Sequence, residues 1–195
     1  MTEFSPNGAS HANLWLKPYY YWRAAFSIVW VAAAFTVGRT NPAVAAILLM
    51  VYPAWDAVAN LVDAHRNGGM RRNPTQALNV VASGITTAGV AIALGIGMNA
   101  VLGVFGTWAI LAGLFQLATG VRRWRTSGAQ WAMILSGAQS ALAGAFFIKT
   151  AAGAQVPGIT DFAPYAAFGA FYFLISAISL SIADMRRTKT RQFGA

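Results

Sequence analysis

Apolar residues along this chain run together in long blocks, and the polar and charged residues collect between the blocks. A helix that crosses roughly 30 Å of hydrocarbon needs about 20 mainly apolar residues. Six blocks meet that length: Tyr19–Gly38, Pro42–Ala64, Thr75–Ile96, Asn99–Val121, Ala129–Lys149 and Pro164–Asp184. Pro42, Pro74 and Pro164 stand at or just before a block, where a helix start tolerates a missing N–H. Gly95–Asn99 predicts a tight turn between the third and fourth helices. Connections this short make sequential helices antiparallel neighbours, and strands are not expected because lipid cannot satisfy open sheet edges. The expected fold is all-α, a bundle of six transmembrane helices over residues 19–184. Residues 1–18 form a tail before it and residues 185–195 a basic tail after it.

The blocks repeat in pairs. Tyr52-Pro53-Ala54-Trp55, Phe105-Gly106-Thr107-Trp108 and Phe168-Gly169-Ala170-Phe171 align on the even-numbered helices, with Asn60, Gly113 and Ser176 seven residues on. The odd-numbered helices align through Ala24, Gly84 and Gly137, with Ser27, Thr87 and Ser140 three residues later. The unit is a two-helix hairpin used three times, all copies in the same orientation because each holds an even number of spans. Gly106, Gly113 and Gly120 fall seven apart, as do Gly169, Ser176 and Ala183, and Gly137 and Gly144. Small residues at that interval let helix backbones approach closely.

Composition agrees with a lipid-solvated chain: 57% of residues are apolar and 10% charged, against about 25% charged in soluble domains. The formal charge of +9 raises nucleic-acid binding, but the basic residues flank apolar blocks and form no continuous stripe. Their placement sets orientation instead. Lys17, Arg23, Arg66, Arg71, Arg72, Arg122, Arg123, Arg125, Arg186, Arg187, Lys189 and Arg191 fall on one side, and only Arg39 and Lys149 on the other. By the positive-inside rule the first side is cytoplasmic, with both chain ends. Tyr19, Tyr20, Tyr21, Trp22, Trp124 and Trp131 mark the same boundary. The expected partners are the bilayer and anionic lipids at the cytoplasmic face, with a homo-oligomer or a membrane-protein partner left open and nucleic acid excluded. No basic stretch with a short apolar core and cleavage site opens the chain, so the first helix is expected to remain as an uncleaved anchor. The longest outer loop, Thr150–Ala163, is the only one long enough to fold over the bundle.

The Gly-aromatic hairpins resemble the HdeD-like family of acid-resistance membrane proteins, built from three short hairpin repeats. The segments that carry the resemblance are Phe105-Gly106-Thr107-Trp108-Ala109-Ile110-Leu111-Ala112-Gly113 and Trp131-Ala132-Met133-Ile134-Leu135-Ser136-Gly137. Arg23-Ala24-Ala25-Phe26-Ser27-Ile28 is similar to the family's Arg-Gly opening, with Ala24 in place of Gly. The likeness runs from about Tyr19 to Arg187. The first hairpin departs most, with Pro53 and Asn60 where the other copies have small residues. The resemblance implies a bacterial inner-membrane protein that contributes to acid or envelope stress tolerance. It implies no known reaction and brings no catalytic residues.

Candidate chemistry is sparse. Without cysteine, thiolate catalysis and Cys-ligated metals are excluded. His11 and His65 have no partner at metal spacing, no His or Lys within a span could activate a serine, and neither Gly68-Gly69 nor Gly95-Ile96-Gly97 continues as a phosphate loop. No enzyme, metal or cofactor is expected. Gln116 and Gln139 are expected to hydrogen-bond between helices. Asp184 is expected to pair locally with Arg186 and Arg187. Asp56, Asn60 and Asp63, at i, i+4 and i+7, share one face of the second helix. Asp63 is expected near the level of Arg23 and to pair with it. Asp56 lies about 10 Å deeper, where no basic residue is expected. An isolated carboxyl there is costly to ionise and is expected to be neutral, with Pro53 one turn away to loosen the helix. Two readings stay open for this cluster of Asp56, Asn60, Asp63 and Arg23. One is a proton-responsive site. The other is a neutral carboxyl bonding Ser27, Thr86 or Gln139. At the level of the whole chain, a proton- or small-solute-conducting path and an accessory subunit of a larger complex stand as alternatives to the stress-tolerance reading.

Overall fold

The computed structural model describes residues 6–122, 124 and 130–193, with side chains described for residues 15–121, 124 and 131–186. Glu3, Arg123, Arg125 and Ala129 lie outside the described residues, as do the side chains of Asn7, Ser10, His11, Arg122, Arg187, Lys189 and Arg191. Six long helices follow one another: α1 (Pro6–Ala33), α2 (Pro42–Arg66), α3 (Pro74–Leu94), α4 (Met98–Arg122), α5 (Gln130–Ala151) and α6 (Ala163–Phe193). The described residues contain no strand. All six helices are long and apolar enough to cross a membrane. The chain is a multi-pass membrane protein. α1 begins well before the first apolar block and carries Pro18 inside it, and α6 runs on into the basic end of the chain.

The turns follow from their residues. α1 closes in a π-helical segment, Ala34–Gly38. Asn41 then caps α2, its side-chain oxygen accepting the N–H groups of Ala43 at 3.0 Å and Val44 at 3.2 Å, while Pro42 takes the first helical position. Between α2 and α3, Gly68 and Gly69 adopt φ of 92° and 91°, a conformation that other residues rarely reach. The Asn73 amide fixes that loop by donating to the carbonyls of Asn67 at 2.9 Å and Gly69 at 3.0 Å. The expected turn at Gly95–Asn99 is present between α3 and α4.

The helices form a ring rather than three tight hairpins. α4 packs most extensively on α5, and α2 on α3, α3 on α4 and α1 on α6 follow. α1 and α2 touch little beyond their shared turn, and α5 and α6 also stand apart. Sequential helices are therefore not all close neighbours. The exceptions arise because large aromatic and polar side chains stand between those helices, whereas glycines line the closest pair, α4 and α5.

The α4–α5 seam is the clearest case. A Cβ on Gly113 would lie 2.5 Å from the Gly137 carbonyl oxygen, one on Gly137 2.8 Å from that of Gly113, and one on Gly106 2.8 Å from that of Gly144. The seven-residue glycine spacing thus builds a backbone-to-backbone contact, where packing and weak polar contacts replace the hydrophobic effect. The series Gly169, Ser176 and Ala183 makes no such seam, because Gly169 faces the Tyr52 hydroxyl and Ala183 is exposed. On the ring's outer surface Ile28, Val29, Ile47, Val58, Ile85 and Ile92 are exposed, as lipid-facing residues should be.

At the end opposite the termini, the 150–163 connection folds back onto the bundle. Asn99 donates to the carbonyls of Ala151, Gly153 and Gln155, each at 3.2 Å, and a short 3-10 turn, Ile159–Phe162, buries Ile159 and Phe162. Phe162 meets Phe105 edge-to-face at 4.9 Å.

Gly113→Val should lower stability by about 2 kcal/mol or more, since the seam has no room for a branched side chain. Gly84→Ala should be neutral or stabilise by up to about 1 kcal/mol, because nothing lies within 4 Å of a Cβ there. Unfolding of both variants in mild detergent, followed by tryptophan fluorescence, measures the difference.

Candidate functional site

The space left inside the ring is a cavity of about 470 Å³ lined by residues of all six helices. It extends from Leu16 and Thr75 near the basic end to Asp161 and Pro164 near the other. Arg23, Asp56, Asn60 and Asp63 all line it, so the polar face read on the second helix points inward.

The pairing inside the cavity differs from expectation. Arg23 forms its ion pair with Asp56, and Asp63 accepts instead from the amides of Asn67 at 2.9 Å and Gln76 at 3.2 Å. Register explains this. Arg23 and Asp56 stand at nearly equal chain distances before and after the Arg39–Asn41 turn, so antiparallel helices bring them level, whereas Asp63 lies two turns farther, about 10 Å. Trp30 confirms the register by donating its indole N–H to the Leu48 carbonyl at 2.7 Å. Arg23 is consequently a group of the cavity wall rather than of the basic boundary, and the expectation of no base at the depth of Asp56 fails. With it goes the ground for treating Asp56 as an isolated neutral carboxyl.

Around the pair a network spans four helices. Asp56 also accepts from the Asn60 amide at 3.0 Å and the Ser83 hydroxyl at 2.9 Å. The Ser83 oxygen in turn accepts from the Trp108 indole at 2.9 Å. The partners expected for Asp56 were Ser27, Thr86 or Gln139; Ser83, one turn from Thr86, takes that place. Arg23 donates to the Tyr19 hydroxyl at 3.1 Å and its guanidinium lies 4.3 Å from the Phe173 ring centroid, stacking α1 on α6. That distance is within cation–π range. The side chains of Arg23 and Asp56 are 14% and 12% exposed, low enough for most of the burial cost of each charge to be met by the other and by these donors.

Beyond the pair the wall is aromatic and amide-rich. Tyr52 packs against Trp30 at 5.1 Å, Trp108 at 5.9 Å and Tyr165 at 6.2 Å. The gap between α5 and α6 is bridged by side chains: Ser140 to the Tyr165 hydroxyl at 3.0 Å, and the Tyr172 hydroxyl donating to Gln139 at 2.8 Å. Three lining residues carry a buried polar atom without a protein partner, Arg23 Nε, Trp55 Nε1 and Asn79 Oδ1. Such atoms are costly to bury unsatisfied, so the wall is not self-sufficient. Asp184 pairs with Lys17 at 3.1 Å, tying α6 to α1 at the basic end. Among the described residues no group of three His, Cys, Asp or Glu could hold a metal ion.

Ser83, Tyr165 and Asn79 were not singled out from sequence, and Trp108 was noted only as part of the repeat. Counting outward from each turn finds Ser83, since it mirrors Asp56 across the 67–73 loop as Arg23 does across Arg39–Asn41. No comparable signal marks Tyr165 or Asn79.

Residues 81–149 match a family described as a short repeat of unknown function (DUF308). The match begins within α3 and ends near the close of α5, so the glycine seam lies inside it. No curated protein and no solved structure matches the chain.

Ser83→Ala should destabilise by about 2–3 kcal/mol, since it strands the buried Trp108 N–H and removes a donor from Asp56. Trp108→Phe leaves Ser83 free to keep Asp56 and should lose about 1 kcal/mol from the hydrogen bond. Denaturant titration in mixed micelles orders the two.

Proposed function

We propose that this protein binds a small solute inside the six-helix ring and moves it along the membrane normal, without catalysing a reaction on it. The observation that carries the reading is the cavity of about 470 Å³, which runs along the spans and reaches the Arg23–Asp56 pair. Its volume falls within the range of about 300–1,000 Å³ typical of small-molecule sites. Saturation of the polar groups supports the non-enzymatic part. Asp56 is engaged by Arg23, Asn60 and Ser83, and the Ser83 hydroxyl donates a hydrogen bond to Asp56 while accepting one from Trp108. None of these groups is left poised as base or nucleophile.

The matched short repeat supports kinship with HdeD-like membrane proteins, the family whose repeats this chain resembles. A contribution to acid or envelope stress tolerance in the bacterial inner membrane is the physiological setting proposed on that ground. The distribution of Lys and Arg supports cytoplasmic chain ends. A role as an accessory subunit has less support, since a scaffold would not need a cavity lined with partnerless polar atoms.

Native mass spectrometry of the chain from mild detergent tests the reading. A drug-sized molecule should remain bound to the wild type and be lost from Ala112→Trp, which fills the cavity; finding none in either removes the proposal. Orientation has its own test, because the chain has no cysteine. A single cysteine at Gln155 should react with a membrane-impermeant maleimide added to intact cells, and one at Asn67 should react only after lysis. The opposite pattern overturns the assignment.

A further inference from the structure

The charge of the cavity runs against the charge of the protein. The chain has 14 Lys and Arg against 5 Asp and Glu. Among the described residues, three carboxylates line the cavity, Asp56, Asp63 and Asp161, and a single base, Arg23. Arg23 is already committed to Asp56. Asp63 meets only neutral amide donors among its hydrogen bonds, and Asp161 accepts the Gly158 N–H at 2.7 Å. The carboxylates facing this space therefore outnumber its bases, inside a strongly basic chain.

Its walls suit a cation in a second way. Tyr19, Tyr52, Trp55, Trp108, Tyr165 and Tyr172 line it, and aromatic faces attract cations most when water is excluded. The guanidinium of Arg23 over Phe173 is an instance within the same wall.

A third observation concerns access. Leu142, Phe146 and Phe168 line the cavity yet are 72%, 64% and 52% exposed. All three lie inside membrane-crossing segments, on the two helices that stand apart. The mouth between α5 and α6 thus faces hydrocarbon, and a molecule using it must already be dissolved in the bilayer.

We infer that the solute is a lipophilic organic cation, drawn from the bilayer between α5 and α6 and held by the aromatic wall in the negative potential of Asp63 and Asp161, which stand at the two ends of the cavity. The inference rests on the solute-binding reading above and narrows it to a chemical class. An inorganic cation does not fit it, since the mouth is apolar and the cavity is far larger than an ion. An anionic amphiphile would face two carboxylates with the one guanidinium already occupied.

Calorimetric titration of the full chain in nanodiscs of zwitterionic lipid, with empty discs as blank, tests it. Tetraphenylphosphonium and the uncharged triphenylphosphine oxide serve as probes. The cation should bind saturably and roughly tenfold more tightly than the neutral compound. Asp63→Asn and Asp161→Asn should each weaken the cation several-fold and leave the neutral probe unchanged. Asp161 is exposed, so its variant folds even where the Asp63 variant does not, and retained binding of the neutral probe certifies an intact cavity. Equal affinities for the two probes, or variants that weaken both alike, overturn the cation assignment while leaving solute binding standing. Saturable binding of neither probe removes both.

Discussion

An arginine and an aspartate facing each other within the span of a membrane impose the constraint that organises this protein. Each alone costs about 3 kcal/mol or more to insert, and together they are tolerable only if they meet in good geometry with their remaining valences filled. Arg23 and Asp56 come close to this by drawing on Tyr19, Asn60 and Ser83, and through Ser83 on Trp108, with Arg23 Nε left without a protein partner. Alongside the stack of Phe26 on Trp55 and the contact of Trp30 with Tyr52, the pair bridges α1 and α2, whose backbones stand apart away from their turn. It therefore does what side-chain packing does elsewhere in the ring. It holds α1, with α6 behind it, to the α2–α3–α4 wall while leaving space beside it.

The opposite side of the ring is built on the reverse principle. Along α4 and α5 the glycines remove side chains altogether, so the backbones themselves meet. Such contact leaves no room for a side chain at these positions. A ring that is tight on the α4–α5 side and bridged by aromatic and polar side chains at α1–α2 and α5–α6 has its softness confined to two places. Both border the cavity, and the second is where apolar cavity residues also face lipid.

Much of this was readable from residue order. Block length set the six spans, the Pro and Gly positions marked the turns, and seven-residue spacing identified the seam, because each of these is local to one helix or one hairpin. The polar face of Asp56, Asn60 and Asp63 was readable for the same reason. What went astray was relation between helices. Arg23 was assigned to Asp63 by its distance from the apparent membrane edge, but α1 begins far upstream of the first apolar block, so that edge was a poor ruler. The turn is the better one, since it fixes antiparallel register directly. The closure of α1 on α6 and the aromatic lining of the cavity depend on contacts between the two ends of the chain, for which one helix's pattern holds no signal.

The central claim is that Arg23 and Asp56 form the tie on which the ring depends, and a double-mutant cycle on unfolding in detergent tests it most directly. Arg23→Met and Asp56→Leu, singly and together, should show a coupling of about 2–3 kcal/mol, the double variant being more stable than the sum of the singles implies. The parallel cycle with Asp63→Leu should show a much smaller coupling. Additivity of Arg23→Met and Asp56→Leu within about 0.5 kcal/mol, or a larger coupling to Asp63, would contradict the account.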